Sequence, residues 1–326
     1  MKTTHRLLSQ ALVACIASVA LGVVHAQDNW PTAPVKIIVP FPPGGTADLL
    51  TRVMAERLAA KLGQTWIVDN KSGAGGNIGM EAGKNATDGH TIISATIGTL
   101  SINQFLVPKM PYDSVADYVY VSKFWENCNA LVVPGTHPAK TVKEFLDWAK
   151  AKPQGVTYGT SGVGTTPHLS AELFRTRTGI STVHVPFRGG PQSVQALLAG
   201  DTDFAIDNLG NYSVMIKAGK AKALAVTCPQ RWPAFPEIPT MSEAGIKDFV
   251  ITSWGAFVMP KGTPAAVANK VSAAILEIAK DPAVKERFIQ IGAMTVGSTP
   301  RELEIFAESE RVKWKDVVRL SGATKD

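Results

Sequence analysis

The chain alternates short runs of β-branched and apolar residues with longer stretches in which apolar residues recur every three or four positions. Runs of the first kind predict strands, and stretches of the second kind predict amphipathic helices. The predicted strands are 35–39, 65–70, 91–95, 130–133, 157–158, 182–185, 204–206, 223–227 and 256–259. The predicted helices are 47–62, 142–150, 169–178, 192–199, 265–279, 282–291 and 300–320. This order indicates an α/β protein with mostly parallel strands.

The predicted elements form two groups with no repeat and no low-complexity linker between them. We therefore expect two lobes, with the chain crossing between them in ordered segments near 127–130 and 250–255. These crossings assign 30–128 together with 252–326 to lobe 1, and 129–251 to lobe 2. A cleft between two lobes that can close is a usual place for a ligand.

The first 26 residues have the pattern of a secretory signal peptide. Lys2 and Arg6 precede an apolar stretch at 11–24, and small residues precede a cleavage point at Ala26. A lipobox-like LVAC ending at Cys15 offers a second possibility, a lipid-bearing N-terminus, but the apolar run continues well past that cysteine. We expect an exported, periplasmic protein. No later run approaches the roughly 20 apolar residues that span a bilayer.

Charge and cysteine content exclude several classes of protein. The formal charge is +6, but lysines and arginines are scattered among acids, whereas nucleic-acid binding needs clustered cations. Cys128 and Cys228 are the only cysteines after the leader. An oxidising compartment permits them to pair, yet a domain of this size does not need a disulfide, so we expect two buried free thiols. With no histidine near them they make a poor metal site.

Five glycine-rich loops connect predicted strands to helical segments. They are 40–48, 70–77, 95–99, 158–168 and 185–191. Each helix start presents unpaired backbone N–H groups and the positive end of a dipole, and glycine lets a ligand approach them closely. A single such loop is explained by a tight turn alone, but several facing one cleft predict an anion site that needs no dedicated arginine.

Three of these regions resemble enzyme motifs without completing them. The segment at 73–78 lacks the last glycine of a dinucleotide fingerprint, and the one at 79–85 is too short for a Walker loop. Gly159-Thr-Ser161-Gly-Val163 has Val where a nucleophile elbow needs glycine. We therefore expect no cofactor and no metal.

Individual side chains in the loops have alternative interpretations. His168 either donates to a bound carboxylate or caps its loop, and with Ser161 it also admits a hydrolase or isomerase. Arg188 either pairs with a ligand carboxylate or points to solvent. Asp207 either meets a ligand amino or hydroxyl group or caps the segment that follows it. Phe41 and Trp254 either wall the cleft or pack in the core.

Taken together, the loops resemble the periplasmic substrate-binding proteins of tripartite tricarboxylate transporters, the Bug-type receptors. The similarity rests on PFPPGGTAD at 40–48, NKSGAGGN at 70–77, YGTSGVGTTPH at 158–168 and VPFRGG at 185–190. LLAGDTD at 197–203, PEIPTMSEAG at 236–245 and PKGTP at 260–264 extend it over the whole mature chain.

The resemblance implies a two-lobed Venus-flytrap fold of the type II-like periplasmic-binding-protein class, with two crossover segments and a ligand shut between the lobes. It implies a small organic carboxylate as ligand, a membrane permease as partner and, by our expectation, a monomer. The residues carried over to the ligand site are Phe41, Gly44, Gly45 and Thr46 from one lobe, and Thr160, Ser161, Gly164, Thr165 and His168 from the other. Thr96 and Asp207 stand at positions that vary in the family and tune selectivity, and Arg188 completes the predicted site.

The resemblance is compatible with two functions of the closed receptor. A closed receptor delivers its ligand to a permease, or it docks on a sensor kinase and reports the metabolite. We expect transport, and no catalysis.

Overall fold

The structure is a computed structural model that describes residues 29–321 and 323. Its strands are β1 (Val35–Val39), β2 (Trp66–Asn70), β3 (Thr91–Thr96), β4 (Tyr118–Pro134), β5 (Val156–Thr160), β6 (Thr182–Pro186), β7 (Phe204–Asn208), β8 (Ala221–Val226), β9 (Thr252–Pro260) and β10 (Met294–Thr295). Its helices are α1 (Thr46–Leu62), α2 (Asn77–Lys84), α3 (Val142–Lys150), α4 (Thr166–Thr178), α5 (Gly190–Ala199), α6 (Leu209–Lys217), α7 (Ala265–Ile278), α8 (Pro282–Ile291) and α9 (Pro300–Ser321). The predicted leader, its cleavage point and Cys15 lie outside the described residues.

The strands form two parallel sets joined by antiparallel ones. β2, β1 and β3 run parallel to one another, and so do β6, β5 and β7. β9 and β4 lie between the two sets and pair antiparallel with their neighbours, as do β8 and β10 with β4. The α/β class and the two-lobed fold with two crossover segments are confirmed, but the sheet is mixed rather than mostly parallel.

One long strand carries the first crossover. β4 pairs with β9 from Tyr118 to Cys128, and from Asn129 to Pro134 it pairs with β7 and β8 instead. The change of partner therefore occurs between two consecutive residues. The second crossover leads into β9, whose first residue, Thr252, is paired with Cys128. The two crossovers thus lie side by side, the first inside a continuous strand and the second in the residues that enter β9.

Separate apolar cores pack on the faces of these sheets. One lies under α1, α7 and α8, and another lies under α3, α4 and α9. Within the described residues, no helix combines the length and the apolar content that crossing a bilayer requires.

Two helices were missing from the sequence prediction, and each has a local reason. α2 has eight residues, two of them glycines, so its helical pattern is too short to predict from the sequence, and a Cβ at Gly79 would lie 2.7 Å from the Cα of Pro40. α6 follows β7 directly, with Asn208 as both the last residue of the strand and the N-cap position of the helix, so no polar loop marks its start.

The expectation of two free thiols is wrong, because Cys128 and Cys228 form a disulfide with their Cα atoms 5.3 Å apart. Ala130 of β4 pairs antiparallel with Val226 of β8, so Cys128, two residues before Ala130, lies opposite Cys228, two residues after Val226. A separation of 100 residues gives no local signal of this contact. The bond ties the end of the lobe-2 sheet to the strand that crosses between the lobes.

Replacing both cysteines, Cys128→Ser with Cys228→Ser, should lower the free energy of unfolding by about 2–4 kcal/mol, since the bond closes a long loop in the unfolded chain. Urea denaturation of the purified mature protein measures this change. A thiol titration of the unfolded wild type should find no free thiol; two titratable thiols would contradict the disulfide.

Candidate functional site

A cavity lies between the lobes, where several helices begin. Lobe 1 contributes Gly45, Thr46 and Ala47 of the α1 start, and lobe 2 contributes the starts of α4 and α5. The strands contribute Thr96, Trp125 and Ser253. The cavity has a volume of about 50 Å³, which is enough for a few waters or a small ligand.

Four helices start at this cavity, and none is capped by the side chain of its own N-cap residue. The N-cap residues are Gly45 for α1, Thr165 for α4, Gly189 for α5 and Asn208 for α6. The Thr165 hydroxyl donates instead to the carbonyl of Gly162, at 2.6 Å. Uncapped helix starts leave N–H donors and positive dipole ends directed at one space, which favours an anion there. No lysine or arginine of the described chain lines the cavity.

The closed cleft brings backbone of one lobe against the other. A Cβ on Gly98 would lie 3.0 Å from the carbonyl oxygen of Gly164, and a Cβ on Gly189 would overlap the ring of Pro42. Gly189 has an extended backbone, with φ of 172°, that any residue can adopt. Glycine at these two places therefore serves the approach of the lobes rather than the fold of either one.

Asn211 of α6 joins the lobes through hydrogen bonds. Its Oδ1 accepts from the N–H and from the hydroxyl of Thr46, both at 2.9 Å. Its Nδ2 donates to the Asp207 carboxylate at 3.1 Å, which orients the amide so that its oxygen faces lobe 1. The first N–H of α1 is thus satisfied by the opposite lobe, and the sequence reasoning missed this residue.

Asp207 lies fully buried behind the cavity wall rather than in it. Its carboxylate accepts from the Ser161 hydroxyl at 3.0 and 2.9 Å and from the Asn208 N–H at 2.6 Å. Burial raises the pKa of Asp207 to about 6, against the opposing effect of these hydrogen bonds. Because the Ser161 proton is directed to Asp207, the Ser161 oxygen presents lone pairs to the cavity.

The predicted site residues divide into two groups. Those that line the cavity are Phe41, Gly45, Thr46, Thr96, Ser161 and Thr165. Those that do not are Gly44, Thr160, Gly164, His168, Arg188 and Asp207.

The residues outside the cavity have other contacts. Gly44 donates its N–H to Asp48 at 2.9 Å, and the Thr160 hydroxyl bonds to the ring of His184 at 2.7 Å. Arg188 is exposed and, with Gly164, borders a second interlobe cavity of about 250 Å³. Trp254 packs in the core and donates to Glu310.

His168 is a structural histidine in this arrangement. Its ring stacks on His184 at 4.5 Å, and its Nδ1 accepts from the Gly164 N–H at 3.5 Å. Burial lowers the pKa of His168 and, with the neighbouring His168 ring, lowers the pKa of His184 to about 3, so both are neutral near pH 7. A serine nucleophile needs a base within hydrogen-bond reach, but Ser161 bonds to Asp207 and not to His168. The geometry therefore does not form the Ser161–His168 pair on which the hydrolase hypothesis rests.

Trp125, Asn208, Asn211 and Ser253 also belong to the site and were not predicted. Asn211 stands four residues after Asp207, but Asp207 lies in β7 and α6 was not predicted, so no helical spacing marked Asn211 in the sequence. Trp125 and Ser253 stand on antiparallel strands without glycine-rich loops. Only the register of the crossover strands brings them to the cavity.

Asp207→Asn should change how stability depends on pH. The ordinary Asp pKa of 3.8 applies to the unfolded chain, so between about pH 4 and pH 6 the folded protein binds more protons and loses stability as pH rises. His168 and His184, with lowered pKa values, act in the opposite sense below about pH 6.5. The informative quantity is therefore the difference between variant and wild type, which should move in favour of the variant by about 3 kcal/mol from pH 4 to pH 7. Parallel curves in urea denaturation would contradict a raised pKa.

Asn211→Ala should weaken ligand binding about tenfold, because two interlobe hydrogen bonds that exist only in the closed form are lost. The variant also loses a hydrogen bond to the buried Asp207 carboxylate, which should lower its free energy of unfolding, so affinity is measured on protein shown to be folded. The matched control is Gln290→Ala, which removes an exposed interlobe bond from Lys217 and should leave affinity unchanged. Calorimetric titration measures both, and equal affinities for the two variants would remove Asn211 from the closing interaction.

Comparison with known proteins agrees with the geometry. A family model described as "Tripartite tricarboxylate transporter family receptor" matches residues 50–322. BugT of Bordetella pertussis (strain Tohama I / ATCC BAA-589 / NCTC 13251) is 35% identical over 310 residues, covering 94% of this chain and 95% of that protein.

Solved structures show the same fold. R. palustris Rpa4515 with adipate has a TM-score of 0.88 at 33% identity, covering 90% of this chain and 98% of that one. MatC from Rhodopseudomonas palustris with bound malate has a TM-score of 0.83 at 29% identity, covering 89% of this chain and 100% of that one. The periplasmic binding protein BugD has a TM-score of 0.87 at 29% identity, covering 91% of this chain and 100% of that one. The chain belongs to the tripartite tricarboxylate transporter receptor family.

Proposed function

We propose that this chain is a periplasmic receptor that captures a small organic carboxylate between its lobes and delivers it to the membrane permease of a tripartite transporter. The observation that carries the proposal is the convergence of four helix starts, none capped by the side chain of its own N-cap residue, on one interlobe cavity. Relatives of the same fold with adipate and with malate support a carboxylate as the ligand. Export by a leader cleaved near Ala26 and a monomeric receptor complete the proposal.

The ligand-contacting residues we propose are those that line the cavity: Phe41, Gly45, Thr46, Thr96, Ser161 and Thr165. Of the remaining predicted residues, Gly44, Thr160, Gly164, His168 and Asp207 position the cavity wall, whereas exposed Arg188 borders the second interlobe cavity. Lobe 1 comprises 30–128 with 252–326, and lobe 2 comprises 129–251. These boundaries follow the change of strand partners along β4.

Closure is the step that signals occupancy. A ligand favours the closed form only through contacts that the open form lacks. A carboxylate between α1 of one lobe and α4 and α5 of the other gains donors from both sides at once. An uncharged ligand gains much less from helix dipoles.

The test is a thermal-shift screen of mature protein that has been unfolded, stripped of carried-over ligand and refolded. The panel contains organic acids, each matched with its neutral amide. Binding to the folded state alone adds about 2.7 kcal/mol at a hundredfold excess over Kd. We expect a clear shift with at least one acid and none with its amide. The absence of any shift with acids, or equal shifts with the amides, would overturn the proposal.

A further inference from the structure

Three polar side chains form a row on the strands at one side of the cavity. Thr96 of β3 is paired with Gly255 of β9, and Gly255 is paired with Trp125 of β4. Residues directly opposite one another in a sheet share a face, and so does Ser253, two residues from Gly255 along β9. Thr96, Trp125 and Ser253 all line the cavity. We call these three the strand row.

Gly255 provides the space in which the Trp125 ring lies. A Cβ at that position would overlap the Nε1 edge of the indole. The tryptophan therefore covers the glycine with the edge that carries its N–H group. Any larger residue at 255 would displace this edge from the row.

The hydrogen-bonding groups of the strand row have no partner among the described residues. Trp125 is 2% exposed, and its indole Nε1 is buried without a hydrogen-bond acceptor. Thr96 is 7% exposed and Ser253 is 4% exposed. Their hydroxyls make no hydrogen bond within residues 29–321. Buried polar groups in folded proteins are nearly always satisfied, so the buried Nε1 of Trp125 calls for an acceptor, and the hydroxyls of Thr96 and Ser253 at the same cavity are free to bind the same group.

We infer that the strand row is a second polar subsite, which binds a hydrogen-bond acceptor carried by the ligand away from its anchoring carboxylate. This inference rests on the proposed function. An indole N–H donates and cannot accept, whereas hydroxyls do either. The group opposite Trp125 is therefore a second carboxylate, a keto oxygen or a hydroxyl oxygen, and an ammonium group is rejected there.

The opposite wall has the reverse preference. Ser161 directs its proton to buried Asp207, so its oxygen accepts from a ligand or from a bridging water. Donors on the strand side and an acceptor on the lobe-2 side fix the orientation in which a ligand lies. The helix starts thus anchor the carboxylate, and the strand row and Ser161 select among acids.

The experiment compares matched acids on wild type and on Trp125→Phe by calorimetric titration. The pairs are succinate with butyrate, adipate with hexanoate, and 4-hydroxybenzoate with benzoate. Within each pair the first acid carries an acceptor at its far end. Phenylalanine keeps an aromatic ring and removes the N–H. We expect the variant to lose about tenfold in affinity for the acceptor-bearing acid and less than twofold for its partner.

The matched control is Trp232→Phe. Trp232 is also buried with an unpartnered Nε1, but it packs in the cluster beneath β8, away from the cavity. This variant should leave both affinities unchanged. An equal loss for both acids of a pair on Trp125→Phe would assign Trp125 to packing alone and overturn the subsite, as would no loss for either.

A second variant covers a failure of Trp125→Phe to fold. Thr96→Val keeps the shape of the side chain without its hydroxyl and should also weaken only the acceptor-bearing acid. In wild type, the indole N–H resonance of Trp125 should shift with that acid and not with its partner; an unmoved resonance counts against the subsite. If no acid of any pair binds wild type, the carboxylate function itself fails, and this inference fails with it.

Discussion

A β-strand carries hydrogen-bonding groups along both edges, and β4 uses its 17 residues to belong to two sheets in succession. The change of partners between Cys128 and Asn129 coincides with the proposed boundary between the lobes. The part of β4 before it carries Trp125 to the cavity and Cys128 to the disulfide. β9 begins beside this point, with Thr252 paired with Cys128, so the two connections between the proposed lobes lie next to each other. The geometry of the cleft depends on this pair.

The cavity combines opposite electrostatic tendencies within a short distance. Helix starts from both lobes offer positive dipole ends, while Asp207 places a buried carboxylate behind one wall. The Asp207 carboxylate accepts hydrogen bonds from Ser161, Asn208 and Asn211. These bonds compensate its negative charge and orient the groups that donate them. In the proposed arrangement, a ligand meets N–H donors from the helix starts and the indole, and the Ser161 oxygen as an acceptor on the lobe-2 side. Such walls discriminate by the pattern of donors and acceptors rather than by net charge.

Local patterns in the sequence were sufficient for the α/β class and for the loops that surround the cavity. Glycine and proline at strand-to-helix connections have a local cause, so the starts of α1, α4 and α5 could be located before the structure. The disulfide, Trp125 and Asn211 could not, because each depends on register or on the approach of the two lobes. His168 misled for the same reason: nearness to Ser161 along the chain does not bring its ring to Ser161 in space. The antiparallel pairing of β9 likewise leaves no mark on its apolar run.

Glycines at the interlobe contacts have a consequence for how this chain tolerates variation. Gly98 and Gly189 are not needed by the backbone of their own lobe, yet each leaves room for an atom of the other. In a deep mutational scan, alanine at these positions would look neutral under selection for abundance and damaging under selection for uptake. Selection for abundance alone would therefore not identify them. The positions at which the two selections disagree would map the surface on which the lobes meet.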